Sequence, residues 1–166
     1  MGFFFCIFST EGFMKIEHVA IWVKDIDKVC EFYRKYFGGV VQPLYHNPAK
    51  QFTSRFITFK DGARLEIMHR PDVSDNVGTL TESKSDMLTL DHAGVQAHRR
   101  DTRHRMFHVE QFHISFSVGS KEKVDSLTQQ MSDDGITIVG QPRTTGDGYY
   151  ESVVLDPEGN RIEITI

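Results

Sequence analysis

The sequence reads Glu17-His18-Val19-Ala20-Ile21-Trp22-Val23 near its beginning and Phe112-His113-Ile114-Ser115-Phe116-Ser117-Val118 in its second half. In both stretches a histidine is followed by apolar residues at every second position, which is the period of a β-strand with one buried face. Further on, Asp61-Gly62-Ala63-Arg64-Leu65-Glu66-Ile67 has a counterpart in Glu158-Gly159-Asn160-Arg161-Ile162-Glu163-Ile164. The chain is therefore predicted to contain two copies of one structural unit.

Each copy is predicted to follow the order strand, helix, strand, strand, strand. The helices are expected to begin after the N-caps Asp25 and Ser120 and to end at Gly38 and Gly135. The fold class is thus α+β, with two tandem βαβββ modules whose curved mixed β-sheets enclose a cleft. The strands are expected at residues 16–23, 40–45, 52–59 and 64–68 in the first module, and at 112–118, 136–139, 150–155 and 161–166 in the second.

The repeat also predicts the domain organisation. Residues 1–13 precede Met14, where the repeated unit begins, and we interpret them as an N-terminal extension; an edge strand or an apolar flap is the alternative. Residues 14–166 form a single domain, made of a module at 14–71, a long connector at 72–108 and a module at 109–166. The basic run at residues 98–105 lies in this connector, and we interpret it as a solvated loop.

Composition narrows the range of partners. The net charge of the 166 residues is −4, and the isoelectric point is near 6.0, which gives no electrostatic reason to expect nucleic acid or an anionic membrane. The apolar run at residues 3–8 is too short to cross a bilayer. Cys6 and Cys30 offer no disulfide framework. We expect a cytoplasmic protein that binds a small molecule.

Two histidines and two glutamates occupy equivalent positions in the two copies. Strand alternation turns His18 and Glu66, and likewise His113 and Glu163, away from their apolar neighbours and onto the opposite sheet face. A carboxylate removed from water needs a proton, a counter-charge or a metal. Arg64 and Arg161, two residues from each glutamate, are one possible counter-charge; a divalent metal held by all four side chains is the other.

The quoted stretches, together with Gly146-Asp147-Gly148-Tyr149-Tyr150-Glu151-Ser152-Val153-Val154-Leu155-Asp156-Pro157, resemble the vicinal-oxygen-chelate superfamily, and within it the short bacterial members of the glyoxalase I, or lactoylglutathione lyase, group. The resemblance covers residues 14–71 and 109–166. It implies the glyoxalase/bleomycin resistance protein/dioxygenase fold. It also implies a homodimer, because edge strands of such modules commonly pair across subunits. Whether the site forms within one chain or across two is left open.

The resemblance implies that His18, Glu66, His113 and Glu163 are the ligands of a divalent metal. An all nitrogen and oxygen set does not distinguish among Ni²⁺, Co²⁺, Zn²⁺ and Mn²⁺. The implied reaction is a lyase-type isomerisation of a thiol–α-oxoaldehyde hemithioacetal through an enediolate. Glu163 is the expected base, and Glu66 is the second candidate.

Substrate specificity is where the chain departs from the family. Glutathione-using members usually have Arg four residues after the first histidine and often Asn four residues after the first glutamate; here the residues are Trp22 and Arg70. We expect Trp22, Arg70, Arg55 and Tyr149 to contact the substrate. Two alternatives use the same fold: a drug-binding resistance protein without catalysis, and a thiol transferase acting on fosfomycin.

Overall fold

The computed structural model describes residues 14–73 and 113–166, and within these ranges each module has one helix against one sheet. The expected extension at 1–13 and all of the expected connector except residues 72 and 73 lie outside the described residues. The first module contains β1 (His18–Trp22), α1 (Ile26–Phe37), β2 (Val40–Val41), β3 (Tyr45–Asn47), a short 3₁₀ helix (Pro48–Lys50), β4 (Phe52–Thr58) and β5 (Arg64–His69). The second contains β6 (His113–Ser117), α2 (Lys121–Asp133), β7 (Ile138–Thr144), β8 (Tyr150–Leu155) and β9 (Arg161–Thr165).

The two sheets have the same topology. In the first sheet the strand order is β1-β5-β4-β2, with β3 also paired to β4, and in the second it is β6-β9-β8-β7. The first strand of each module runs parallel to the last, and the other pairs are antiparallel. The predicted mixed α+β fold of two βαβββ modules is confirmed. β1 and β6 each stand at an end of their sheet's strand order.

Both helices begin at the predicted caps. The side chain of Asp25 accepts a hydrogen bond from the backbone N–H of Lys28, and that of Ser120 accepts one from Lys123. Gly38 ends α1 with φ of 65°, a left-handed conformation that glycine adopts without a Cβ clash.

The apolar faces of the two modules share one core. Buried residues of α1, β5, α2 and β9 belong to a single hydrophobic cluster, to which partly buried Phe116 of β6 adds its ring. That ring stacks on Phe37 with centroids 4.1 Å apart and also contacts Tyr33 and Phe59. The modules therefore pack through their apolar faces, and the opposite face of each sheet points away from this core.

Polar contacts also join the modules. Glu158, in the turn before β9, accepts hydrogen bonds from the backbone N–H groups of Lys24 and Asp25, just before α1. The buried hydroxyl of Tyr33 donates to Asp156 at 3.4 Å. Asp156 also accepts backbone hydrogen bonds from Glu158 and Asn160, which hold the turn closed.

Two strands differ from the sequence prediction. β7 spans Ile138–Thr144, whereas the sequence predicted residues 136–139. The strand continues through Pro142 because β7 is an edge strand, and its pairing with β8 is interrupted by register shifts. The predicted strand at 40–45 is divided into β2 and β3, since both strands pair with β4 at separate places. Among the described residues, no helix is both long and apolar enough to span a membrane.

Burial makes Asp156 a pH-dependent element of the module interface. Desolvation raises the pKa of its carboxyl group above the usual value, so the folded state binds this proton more tightly than the unfolded state does. The contribution of Asp156 to the free energy of unfolding is therefore greatest in acid and is lost as the pH rises through the raised pKa.

We expect the free energy of unfolding of the wild-type protein, minus that of Asp156→Asn, to decrease from about pH 4 to about pH 7. Only the wild-type side chain carries a carboxyl group that titrates in this range. Urea denaturation at several pH values measures this difference. Asp61→Asn, in an exposed turn, controls for the loss of a carboxylate. A difference that grows with pH would contradict the assignment.

Candidate metal centre

The two histidine–glutamate pairs occupy the same positions in the two sheets. In the first, His18 is in register with Arg64, and Glu66 lies opposite Ala20 on the same sheet face. In the second, His113 is in register with Arg161, and Glu163 lies opposite Ser115.

The alternating residues of these strands, such as Leu65 and Ile162, are buried in the core. We call the opposite face of each sheet its site face.

Each pair brings one imidazole nitrogen close to one carboxylate oxygen. The Nε2 atom of His18 lies 3.9 Å from Oε2 of Glu66, and that of His113 lies 3.5 Å from Oε2 of Glu163. The glutamate side chains are 16% and 22% exposed, and the histidines 41% and 53%. Each pair is therefore a partly sheltered carboxylate with an imidazole at its open side.

Glu17 fixes the proton on the first histidine, a role that the sequence prediction missed. Its carboxylate lies 2.5 Å from Nδ1 of His18, and because a carboxylate only accepts hydrogen bonds, Nδ1 carries the proton. In the neutral ring, Nε2 is then a lone-pair donor facing Glu66. Two electron-pair donors that face each other need a cation between them, either a proton or a metal.

Glu17 and the aromatic ring of Phe56 together orient His18. The guanidinium of Arg64 pairs with Glu17 and also lies over the ring of Phe56, 4.1 Å from its centroid. The hydrogen bond with His18 lowers the pKa of Glu17, and Arg64 acts in the same direction. The ring of Phe56 meets His18 edge-on at 5.5 Å. The only sequence signal for Glu17 was its position next to the histidine.

The arginine alternative for the two glutamates is wrong. Arg64 pairs with Glu17 and not with Glu66, and no ion pair among the described residues joins Arg161 to Glu163. The counter-group that the structure provides for each glutamate is a histidine.

The two pairs do not meet within residues 14–73 and 113–166. The modules share a core through their apolar faces, so each site face lies on the side of its sheet away from this core. In this part of the chain no three His, Cys, Asp or Glu side chains form a group that could hold an ion. Within these residues each module therefore presents half of the predicted ligand set.

The four predicted substrate contacts are not all on the site faces. Trp22 is in register with Met68, which lies two residues after Glu66 on the same sheet face. The guanidinium of Arg70 lies 4.8 Å from the centroid of the Trp22 ring. Arg55, in contrast, is in register with buried Ile67. It thus lies on the helix face, where its guanidinium is 3.5 Å from Asp27 of α1.

The fourth predicted contact, Tyr149, is exposed in the loop before β8. The strands β7 and β8 that flank this loop carry a charged pair on the second site face. Arg143 of β7 and Glu151 of β8 are in register, with their side chains 3.3 Å apart. Glu151 lies opposite Thr165 of β9. This pair is two residues along the strands from the pair of Val153 and Glu163, on the same sheet face. The second site face thus carries a charged pair next to Val153, the residue opposite its glutamate.

The donor set fits a divalent first-row metal as two halves. Neighbouring ligands of one such ion, each at about 2.1 Å, stand about 3 Å apart, so the nitrogen–oxygen separations of 3.9 and 3.5 Å would shorten when an ion binds. One module offers one nitrogen and one oxygen donor, which is half of the four protein ligands expected. The missing half of each site has the composition of the other module's pair.

The chain belongs to the Glyoxalase/Bleomycin resistance protein/Dioxygenase superfamily, whose family model matches residues 15–164. The resemblance to the vicinal-oxygen-chelate superfamily is thereby confirmed. Comparison of the sequence with curated proteins finds no match.

Solved structures of glyoxalases share the fold. A possible glyoxalase from Bacillus cereus is 24% identical, with a TM-score of 0.58 over 92% of this chain and 99% of that one. The trypanothione-dependent glyoxalase I of Leishmania major is 19% identical, with a TM-score of 0.58 over 92% and 86%. Glyoxalase I from Zea mays is 16% identical, with a TM-score of 0.61, and this chain spans 44% of its length.

The contact between Glu17 and His18 predicts an effect on metal affinity. We expect Glu17→Gln to raise the dissociation constant for Zn²⁺ or Ni²⁺ by about tenfold or more, because the carboxylate orients the imidazole and increases its basicity. Competition with a chelating dye measures the constant. Glu31→Gln, which removes a carboxylate paired with Arg34 on the surface of α1, is the matched control. Equal constants for Glu17→Gln and the wild-type protein would exclude this role.

Proposed function

We propose that this protein is a metal-dependent lyase of the glyoxalase type, which isomerises the hemithioacetal of a thiol and an α-oxoaldehyde. The observation that supports it best is the pair of equivalent histidine–glutamate sites, in which each carboxylate faces an imidazole nitrogen. Family membership and the fold shared with glyoxalases favour the same chemistry.

The complete site lies between two copies of the chain in this proposal. His18 and Glu66 of one subunit face His113 and Glu163 of the other, so a homodimer has two identical sites. The outward direction of both site faces and the edge positions of β1 and β6 support this arrangement. A symmetric dimer buries the same patches on both copies and completes both sites at once.

The four ligands would hold the divalent ion, which supplies Lewis acidity to the two neighbouring oxygens of the substrate. Ni²⁺, Co²⁺, Zn²⁺ and Mn²⁺ all suit the donor set. Glu17 keeps the proton on Nδ1 of His18, so that Nε2 is free to act as a ligand. Phe56 packs against the ring and limits its rotation.

Glu163 is the proposed base. It accepts the proton from the carbon that bears sulfur and returns it to the adjacent carbon, while the electron pair moves between the two carbons. The hemithioacetal thus becomes an α-hydroxy thioester, with no external oxidant or reductant. Glu66 is the second candidate for this step.

A second candidate function is binding of an aromatic or cationic drug without catalysis. The observation that favours it is the aromatic character of the first site face, where Trp22 and Phe52 meet edge-on at 5.9 Å. The two functions differ in metal content. Protein that takes up no divalent ion after dialysis against several of them would support the binding function and exclude the lyase.

Mixed dimers test the proposed lyase and its assembly together. His18→Ala and Glu163→Gln should each abolish activity with methylglyoxal and a panel of thiols, because every site of either homodimer lacks one ligand. After the two variants are unfolded and refolded together, one site in each heterodimer has all its ligands. We expect about a quarter of wild-type activity, since half of the dimers are heterodimers and one site of two is intact.

The control mixes His18→Ala with His18→Ala,Glu163→Gln, a combination that regenerates no intact site. Metal analysis of the same samples gives a second readout, because the restored site should retain an ion. If the mixture of single variants stays inactive while refolded wild-type protein recovers, the site does not form across subunits. If the wild-type protein isomerises no hemithioacetal but reacts with fosfomycin and a thiol, the lyase assignment is wrong.

A further inference from the structure

The two site faces share their candidate ligands but differ four residues after each histidine. In the first module this position is Trp22, in register with Met68. In the second it is Ser117, in register with Thr165. Because both pairs occupy the same place in equivalent sheets, the fold itself accepts small polar residues there. The tryptophan is therefore not explained by folding alone.

Trp22 is part of an aromatic strip formed with Phe52 and Tyr45. Its ring meets that of Phe52 edge-on at 5.9 Å, and Phe52 lies 6.2 Å from Tyr45. Trp22 and Phe52 are partly exposed, and Tyr45 is 55% exposed. Partly exposed rings along one sheet face can accept the face or the edge of another planar group.

The cation beside this strip already has an anionic partner. The guanidinium of Arg70, over the ring of Trp22, binds both carboxylate oxygens of Asp72 at 3.1 and 3.2 Å. A substrate carboxylate would have to compete with Asp72 for Arg70, whereas an uncharged ring needs only the part of the Trp22 surface that Arg70 does not cover. The strip therefore suits an uncharged planar group better than the carboxylates of a peptide thiol.

The strip lies at a defined distance from the candidate metal ligands. Trp22 and Met68 are two residues along their strands from Ala20 and Glu66, which corresponds to about 7 Å. A group on Trp22 is therefore separated from the reacting oxygens by a linker of a few atoms.

We propose that Trp22 determines specificity by binding an uncharged aromatic group of the substrate, joined through a short linker to the two vicinal oxygens. This inference rests on the proposed function for the position of those oxygens, while the aromatic strip itself is independent of any metal. The substrate class is thus an arylalkyl thiol adduct, and not an adduct of a thiol with several carboxylates.

Hydroxamates test this preference, because they present two vicinal oxygens to a metal and do not react. The probes are phenylbutyrohydroxamate, cyclohexylbutyrohydroxamate and butyrohydroxamate, titrated into Zn²⁺-loaded protein by calorimetry. We expect the phenyl compound to bind about tenfold more tightly than butyrohydroxamate, and more tightly than the cyclohexyl compound. Trp22→Ser, which replaces the tryptophan with the residue of the second module, should remove most of this preference, so that the phenyl compound and butyrohydroxamate bind with similar affinity.

Ser117→Ala on the other site face is the control, and its ring preference should equal that of the wild-type protein. Provided that the hydroxamates bind, the inference is overturned if the phenyl compound binds no better than butyrohydroxamate, or if Trp22→Ser keeps the preference. It is also overturned if a hydroxamate with a terminal carboxylate binds more tightly than the phenyl compound.

A metal-free measurement separates this inference from the proposed function. Trp22 is the only tryptophan of the chain, so its fluorescence reports directly on the strip. Phenylbutanol, which has no chelating group, should change this fluorescence in a saturable way in metal-free protein, while butanol should not. If no hydroxamate binds but phenylbutanol does, the lyase proposal fails and this inference stands. If phenylbutanol has no saturable effect, this inference fails whatever the metal content.

Discussion

Packing of the apolar faces of the two modules against each other is the constraint on which the candidate site depends. The stacked rings of Phe37 and Phe116 join α1 to β6, and buried residues of both sheets belong to the same cluster. A strand has only two faces, so committing one to this core turns His18, Glu66, His113 and Glu163 to the other. The same packing thus leaves each module's half of the ligand set on the sheet face away from the core.

The sequence was sufficient to predict the modules and the local position of each candidate ligand. Alternation around Glu66 and Glu163 assigned both residues to the face opposite Leu65 and Ile162, and the caps Asp25 and Ser120 were read directly from residue type. Both signals are local, because strand period and capping depend on residues a few positions apart.

Relations between distant residues could not be read in the same way. The sequence spacing offered Glu66 as a partner for Arg64, but across the parallel pair β1–β5 the guanidinium reaches Glu17 instead. Arg55 was expected at the substrate, yet its register with Ile67 places it against α1. The direction in which two modules pack is decided by side-chain fit across the core, which periodicity alone does not contain.

The two modules are similar in structure but differ in the residues around their histidine–glutamate pairs. The histidine–glutamate pairs are retained on both sheets, whereas the surrounding surface is aromatic around Trp22 and polar around Glu151. In the proposed dimer one wall of each site would come from each kind of module. The histidine–glutamate pairs of both modules would then carry out the reaction, and the aromatic strip of the first module would bind the rest of the substrate.

The most direct measurement is a crystal structure of the Zn²⁺-loaded protein, with the ion located by its anomalous scattering. The account predicts an ion about 2.1 Å from His18 and Glu66 of one subunit and from His113 and Glu163 of the other. An ion bound by one pair alone, or by all four residues of a single chain, would contradict the shared site. So would the absence of any ion between the two pairs at saturating Zn²⁺.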